Sequence, residues 1–170
     1  MDKLTHFSGA GRARIVDVSV KPATRRAAVA SGILRMQPET LARIRSGSIA
    51  KGDVLAVADV AAVMAAKRTA DIIPMCHALA LSGVEVTFSD IAQPDSEGCV
   101  GIRAAVTANC VGQTGVEMEA LCAASVALLT IYDMCKAIDR GMRIEHIQLE
   151  EKRGGSSGTW SREQLAKKSG

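Results

Sequence analysis

The spacing of apolar residues along the chain predicts five strands. Three of the segments alternate between apolar and polar residues, which is the period of a strand with one buried face. In chain order the five are Ile15–Val20, Ala27–Met36, Ser82–Phe88, Val100–Ala108 and Met142–Lys152. An acidic turn around residues 95–98 joins the third and fourth segments. We therefore expect these two to form an antiparallel hairpin.

Two short helices are predicted between the second strand and the hairpin. Pro38 at a first helical position and Gly47 after the last turn bracket a helix over Glu39–Ser46. Asp53 is a natural N-cap for an Ala- and Val-rich helix that runs to about Thr69.

The longest predicted helix follows the hairpin, within Gly112–Ile138. Thr114 and Glu117 have the spacing of a capping box, which predicts the start of this helix. No charged residue occurs from Leu121 to Tyr132, so most of the helix circumference must be covered by a sheet or by another chain. Because only 2% of the residues are aromatic, we expect close packing through alanine.

The order of these elements predicts the fold class. Strands, helices, a hairpin, a helix and a last strand indicate an α+β two-layer sandwich, in which an antiparallel sheet packs against helices with ferredoxin-like topology. We expect a single domain over residues 1–155 with a loose N-terminal arm at residues 1–11. The run GGSSG at residues 154–158 and the polar residues after it predict a flexible tail over residues 156–170.

Composition narrows the class of protein. The formal charge is +3 without a long basic run, and aromatic side chains for base stacking are scarce, which favours a small anionic ligand over nucleic acid. Five cysteines without a C-x-x-C pair argue against a disulfide framework or a zinc site. We find no signal peptide and no apolar run of the ~20 residues that span a bilayer. The default expectation is a reduced, cytoplasmic compartment and no membrane.

Polar side chains near the helix ends are candidates for chemistry. Asp133 and Lys136 are three residues apart on one helix face, and they are either a self-neutralising pair or the working groups of a site. Lys51 precedes a helix N-terminus, where it either binds phosphate or remains solvated. His77 lies in a turn between apolar segments and is either functional or simply packed.

The other basic residues have structural explanations as well. Lys67 and Arg68 end the second helix, where the helix dipole favours cations. Lys21, Arg25 and Arg26 lie in a predicted turn between strands and are either solvated or in contact with an anion.

Five short runs carry a family resemblance. They are VDVS (Val16–Ser19), KGDV (Lys51–Val54), AAKRT with DIIPMCH (Ala65–His77), GVEMEAL (Gly115–Leu121) and IYDMCKA (Ile131–Ala137). Each run alone is a weak signal, whereas all five in this order and spacing resemble the MoaC family of cyclic pyranopterin monophosphate synthases. The resemblance extends over roughly Leu4–Gly155, nearly the whole chain.

The resemblance implies a lyase of molybdenum cofactor biosynthesis. The family rearranges the GTP-derived intermediate 3′,8-cyclo-7,8-dihydro-GTP into cyclic pyranopterin monophosphate, closing a cyclic phosphate and releasing pyrophosphate. The family is hexameric, a trimer of dimers, which implies a homo-oligomer with sites at the dimer interface. No resident cofactor or metal is implied, although magnesium can accompany the triphosphate substrate.

The resemblance also assigns residues to the site. Asp133 and Lys136 match the family's active-site aspartate and its partner lysine, and Lys51 and His77 match catalytic or phosphate-contacting positions. The positions assigned to substrate binding are Met75, Cys76, His77, Glu117, Met118, Glu119, Arg26, Lys67, Arg68 and Lys152.

The residue types fit this chemistry, but they leave a second class open. A basic wall for the triphosphate would consist of Lys51, Lys67, Arg68 and Lys152. Asp133, Lys136 and His77 would exchange protons if burial shifts their pKa values. If the apolar helix lies at a two-fold contact, we expect Lys51 or His77 to reach Asp133 only from the neighbouring chain. The competing class is a non-catalytic module of the same fold that binds a nucleotide or RNA.

Overall fold

The fold was obtained as a computed structural model, which describes residues 15–156 and 158–166. The predicted arm at residues 1–11 lies outside this range. In chain order the elements are strand β1 (Thr24–Met36), helices α1 (Pro38–Arg45), α2 (Val54–Lys67) and α3 (Thr69–Ile72), strands β2 (Leu81–Ile91) and β3 (Val100–Gly112), helix α4 (Glu117–Cys135), strands β4 (Arg143–Arg153) and β5 (Trp160–Ser161), and helix α5 (Arg162–Ala166).

The strands form one sheet in the order β2-β3-β1-β4-β5, and all neighbours are antiparallel. β1 and β3 pair along their whole lengths, from Thr24 opposite Gly112 to Met36 opposite Val100. The connections from β1 to β2 and from β3 to β4 each pass over one strand, which is the ferredoxin-like arrangement. The predicted fold class and the predicted hairpin are confirmed.

The helices cover one face of this sheet, with α4 on β1, β3 and β4, and α2 beside α4 and against β2. The helix–helix and helix–sheet contacts use small side chains, as the scarcity of aromatic residues predicts. The alanines buried in these two helices are Ala58, Ala62, Ala65, Ala66, Ala120, Ala123, Ala124 and Ala127. Gly32 on β1 also belongs to this close contact, because a Cβ there would lie 2.8 Å from Leu128 Cδ1.

Helix α4 has the length and the mean hydropathy, 1.5, of a membrane span, which the sequence analysis did not predict. Half of that apolar window is nevertheless buried inside the domain. Its hydropathy is therefore explained by its place between the sheet and α2, as the central helix of the core.

The predicted strand at Ile15–Val20 is wrong, since these residues form no strand. Val16 and Val18 are half-buried while their neighbours are exposed, so the alternation is real but has another cause. The Val16 carbonyl accepts a hydrogen bond from the His77 ring, and the Lys21 N–H bonds to the Val18 carbonyl in a turn. These hydrogen bonds take the place of strand pairing, and the two valines line a cleft instead.

The predicted capping box at the start of α4 is also wrong. The N-cap is Val116 and has no side-chain hydrogen bond, so the helix begins after Thr114. The Glu117 carboxylate lies close to Gly115, just before the helix, and pairs with Lys152 of β4 at 3.1 Å. In contrast, the Asp53 cap of α2 is confirmed, because its Oδ1 accepts from the N–H groups of Leu55 and Ala56.

Part of the tail that was predicted to be flexible is ordered. Trp160 and Ser161 extend the sheet by pairing with Lys152 and Glu151 of β4. The Arg162 guanidinium donates to the Leu149 carbonyl at 2.9 Å.

Substitution of Gly154, just after β4, is expected to have a measurable effect on stability. Its φ is +94°, and a Cβ there would lie 2.2 Å from the Arg25 carbonyl oxygen. We expect Gly154→Ala to lower the free energy of unfolding by about 2–3 kcal/mol, because backbone strain and a backbone clash add. Gly158→Ala is the matched control, since φ is +66° but nothing lies within 4 Å. Equal denaturation midpoints for the two variants would contradict the clash.

Candidate active site

A cleft of about 350 Å³ opens at the N-terminal end of α4. The turn after α3 supplies one wall and the start of α4 supplies the other. Six of the residues that the resemblance assigns to substrate binding line it, namely Met75, Cys76, His77, Glu117, Met118 and Glu119. The structure therefore brings these residues together, although they come from two separate segments of the chain.

Glu119 is the buried acid of this cleft, with 3% of its surface exposed. Burial raises the pKa of its carboxyl above the ordinary value, and the nearby Glu117 carboxylate adds to the increase. Burial likewise raises the pKa of the Cys76 thiol, followed by the negative charge of Glu119. The cleft thus contains a carboxyl that can carry a proton closer to neutral pH and a thiol that stays protonated.

His77 is fixed by the segment that covers the cleft. Its Nε2 lies 2.8 Å from the Val16 carbonyl oxygen. Because a carbonyl can only accept, Nε2 carries the proton, and Nδ1 of the neutral ring is left as an acceptor. The backbone at Val16 therefore selects the tautomer of His77.

Two of the predicted cations lie at this end of the domain but are already engaged. Lys152 Nζ is 3.1 Å from Glu117, so its charge is balanced within the chain. Arg26 donates to the carbonyls of Gly112 and Gln113 at 2.9 and 3.0 Å, and it thereby holds the loop that leads into α4.

Glu119 gives a pH-dependent prediction for stability. The pKa of Glu119 is raised in the folded state, so its protonated form stabilises the fold. This contribution to the free energy of unfolding is fully present below the ordinary carboxyl pKa and is lost as the pH rises through the raised value. Glu119→Gln removes this loss of stability, because a glutamine side chain stays neutral at every pH in the measured range. We expect the melting temperature of the variant, relative to the unsubstituted protein, to increase as the pH rises above the ordinary carboxyl pKa and to level off once the pH exceeds the raised pKa. The exposed Glu85→Gln is the control, and a difference for Glu119→Gln that stays constant with pH would contradict the buried-acid interpretation.

A second cluster lies at the other end of α4 and consists of Lys51, Asp133 and Lys136. Asp133 Oδ1 is 2.6 Å from Lys136 Nζ, and its Oδ2 is 3.1 Å from Lys51 Nζ. Lys51 Nζ also donates to the Asp133 carbonyl oxygen at 2.8 Å, and so it binds one of the free carbonyls that end a helix. We call these three residues the C-terminal triad.

The charges of the C-terminal triad differ from the prediction. The side chains of Lys51, Asp133 and Lys136 are 48%, 57% and 53% exposed, so they are not the buried groups that the prediction required. The hydrogen bond from Lys136, and then that from Lys51, lowers the pKa of Asp133. Asp133 in turn raises the pKa of Lys136. In the isolated chain the triad therefore consists of an ionised carboxylate between ammonium groups.

The structure does not bring the predicted catalytic residues into one place. Asp133 lies at the far end of α4 from Glu119, roughly 20 Å away at 1.5 Å of rise per helical residue. His77 lies with Glu119 in the cleft, while Lys51 lies with Asp133. The expectation that Lys51 reaches Asp133 only from another chain is wrong, because the two are paired within one chain.

The predicted basic wall is divided in the same way. Lys51 belongs to the C-terminal triad, and Lys152 is paired with Glu117 beside the cleft. Lys67 and Arg68 are exposed where α2 ends. Sequence patterns could not show this division, because it depends on the antiparallel packing of α2 and α4.

Some features of the cleft differ from what the sequence predicted. Val16, Val18 and Lys21 line it, although the first two were assigned to a strand. Lys21 had been weighed as an anion contact on position alone, and its place in the cleft now favours that alternative. The burial of Glu119 was also missed, and its one sequence signal was a carboxylate just before the uncharged stretch of α4. Among residues 15–156 and 158–166, no group of three His, Cys, Asp or Glu side chains is arranged to hold a metal ion.

Comparison with known proteins gives consistent matches over nearly the whole chain. A protein of Chloroflexus aggregans is 56% identical over 166 residues, which is 98% of both chains. A protein of Thermomicrobium roseum is 57% identical over 163 residues, 96% of this chain and 95% of the other. One of Novosphingobium aromaticivorans is 56% identical over 160 residues, 94% of this chain and 98% of the other. Each of the three is named cyclic pyranopterin monophosphate synthase.

The family profile agrees with these relatives. Residues 15–155 match the MoaC family, and this range contains both the cleft and the C-terminal triad. All the residues assigned by the resemblance fall within it. The chain therefore belongs to the MoaC family of enzymes.

Proposed function

We propose that this enzyme converts 3′,8-cyclo-7,8-dihydro-GTP into cyclic pyranopterin monophosphate with release of pyrophosphate, in molybdenum cofactor biosynthesis. The observation that carries the proposal is 56–57% identity, over 94% or more of this chain, to proteins named for this product. The five cysteines are unpaired, which fits a reduced, cytoplasmic location.

The cleft supplies the groups for proton transfer to a heterocycle. Glu119, whose pKa is raised by burial, can give up or take a proton at a higher pH than a solvated carboxyl. His77 presents one acceptor nitrogen while Val16 holds the other as a donor. Met75 and Met118 add apolar surface to the cleft, which suits the flat faces of a purine-derived ring.

The C-terminal triad supplies charge for the phosphates. Its two ammonium groups and one carboxylate give a net positive charge at an exposed position, where they can contact a triphosphate and stabilise departing pyrophosphate. Asp133 is ionised, so it acts as a base or as the group that orients the two lysines. Magnesium would arrive with the triphosphate.

The proposal includes a homo-oligomer, as a trimer of dimers, in which two chains complete each site. Groups that act on one reacting centre must lie within hydrogen-bond reach of it, whereas the cleft and the triad of one chain are roughly 20 Å apart. A second copy can supply the missing half. His77, although not Lys51, would then act with Asp133 across an interface.

The purified protein provides the direct test. Incubation with the cyclised GTP intermediate is expected to release one pyrophosphate for each cyclic pyranopterin monophosphate formed. A coupled phosphate assay measures the pyrophosphate, and mass spectrometry measures the pterin product. Lys51→Ala is expected to weaken binding of a non-reacting triphosphate analogue in calorimetry, because one ammonium is lost. Tight binding of the intermediate without pyrophosphate release would instead support a non-catalytic binding module.

A further inference from the structure

Asp139 is a buried carboxylate to which the proposed reaction assigns no role. It lies in the turn between α4 and β4 and is 7% exposed, and Glu119 is the one other carboxylate buried in the described part of the chain. Asp139 Oδ2 accepts hydrogen bonds from the Gln37 N–H at 2.9 Å and from the Thr40 hydroxyl at 3.1 Å. Its Oδ1 accepts from the Gly141 N–H at 3.1 Å. Both carboxylate oxygens therefore face donors.

These bonds join two helices that are distant in sequence. Gln37 is the N-cap of α1, and its side chain forms no capping hydrogen bond. The Asp139 carboxylate supplies the acceptor and the negative charge that a helix N-terminus favours. Asp139 thus fastens the turn after α4 to the first turn of α1.

The end of α4 is held mainly from outside the helix. No residue from 136 to 141 has a positive φ, so the left-handed cap that commonly ends a helix is missing there. The Cys135 carbonyl instead accepts from the Asp139 N–H at 3.1 Å. The Asp133 carbonyl accepts from Lys51 at 2.8 Å. The last turn of α4 therefore depends on Asp139 on one side and on Lys51 on the other.

Asp139 also lies close to the C-terminal triad. Burial raises the pKa of the Cys135 thiol, the Asp139 carboxylate raises it further and the Lys51 ammonium lowers it, so both charges lie near this thiol. Lys136 precedes Asp139 by three residues in the same turn. A displacement of this turn would move Lys136 relative to Asp133, with which it pairs at 2.6 Å.

We propose that Asp139 is a positioning residue for the C-terminal triad. By anchoring the turn after α4 to α1, it holds Lys136 and Asp133 in the arrangement that acts on the substrate. It acts through these two residues and needs no contact with the substrate. Its effect on turnover rests on the proposed function, whereas its effect on the geometry of the triad does not.

Titration of Asp133 tests the geometry without substrate. The hydrogen bond from Lys136, and then that from Lys51, lowers the pKa of Asp133 in the unsubstituted protein. Asp139→Asn keeps the size of the side chain, but its NH₂ group faces a donor whichever way the amide lies. We expect the turn to loosen and the pKa of Asp133 to rise toward its ordinary value. Carbon-13 NMR of protein labelled at its aspartate side chains measures this pKa, and the spectrum of Asp133→Asn identifies the resonance.

Turnover and binding distinguish a positioning residue from a purely structural one. Asp139→Asn is expected to lower kcat by about 10–100-fold, because misplaced groups act less well on the reacting atoms. Binding of a non-reacting triphosphate analogue should stay close to that of the unsubstituted protein, since both ammonium groups remain. A structural role alone would lower the melting temperature and leave kcat per folded protein unchanged.

Thr40→Val is a milder variant of the same contact, and Ser31→Ala is its matched control. Thr40 and Ser31 are both 3% exposed, and each donates a hydroxyl hydrogen bond to a carboxylate. The acceptors are Asp139 and, on β4, Glu150. Both substitutions should lower the melting temperature, but only Thr40→Val should raise the pKa of Asp133 and lower kcat.

These measurements separate the positioning role from the proposed function. If Asp139→Asn and Thr40→Val lower the melting temperature but leave the pKa of Asp133 and kcat unchanged, Asp139 is only structural and the proposal is overturned. If Asp139→Asn does not fold, Thr40→Val decides by the same measurements. If the unsubstituted protein releases no pyrophosphate, the proposed function fails, but the titration of Asp133 still decides the positioning.

Discussion

Asp133→Asn is expected to lower turnover by about 10²–10⁴-fold, the range that a positioned acid or base contributes. The side chain keeps its shape and can still accept a hydrogen bond, but it cannot take up a proton or balance Lys51 and Lys136. Folding should be little affected, because Asp133 is 57% exposed and water can solvate both lysines after the change. The large loss expected for a buried ion pair does not apply here.

Single-turnover assays together with thermal denaturation measure the two effects separately. Asp90→Asn is the matched control, since Asp90 also forms an exposed ion pair, with Arg45, but lies on β2 outside both clusters. The control should keep full turnover. Near-normal turnover of Asp133→Asn would remove Asp133 from the catalytic groups.

Mixed oligomers of His77→Ala and Asp133→Asn are expected to regain activity, although each variant alone is inactive. If each site takes its cleft from one chain and its C-terminal triad from the other, a mixed dimer contains one intact site and one doubly defective site. Random assembly then gives about one quarter of the normal number of sites. The two chains are co-expressed with different tags, and mixed oligomers are isolated and assayed for pyrophosphate release.

Lys51→Ala mixed with Asp133→Asn is the internal control. Lys51 and Asp133 are paired within one chain, so every site of a mixed dimer has one defective triad and no activity should return. Rescue of this second pair would contradict the triad geometry. Failure of the first pair, with mixed oligomers verified by mass spectrometry, would show that each chain works alone.

Local patterns predicted most of the fold because the signals were redundant. The hairpin had alternation on both sides of a turn, and α2 had a capping aspartate that makes the expected bonds. The strand expected at Ile15–Val20 failed, because alternation reports which side chains are buried and does not report whether the backbone finds a strand to pair with. The capping box at Thr114 failed because the helix begins later than predicted, with Val116 as its N-cap, and Glu117 pairs with Lys152, which is distant in sequence.

Local patterns were enough to predict the layers and the order of the elements, and the five family-like runs indicated candidate side chains for the site. Only the tertiary structure decided how those side chains are distributed, because α2 packs antiparallel to α4 and places Lys51 beside Asp133, far from His77. It also decided their protonation, since hydrogen bonds from Lys136 and Lys51 lower the pKa of Asp133 while burial raises the pKa of Glu119. Distances and solvation of this kind arise from contacts between segments, which no local pattern contains.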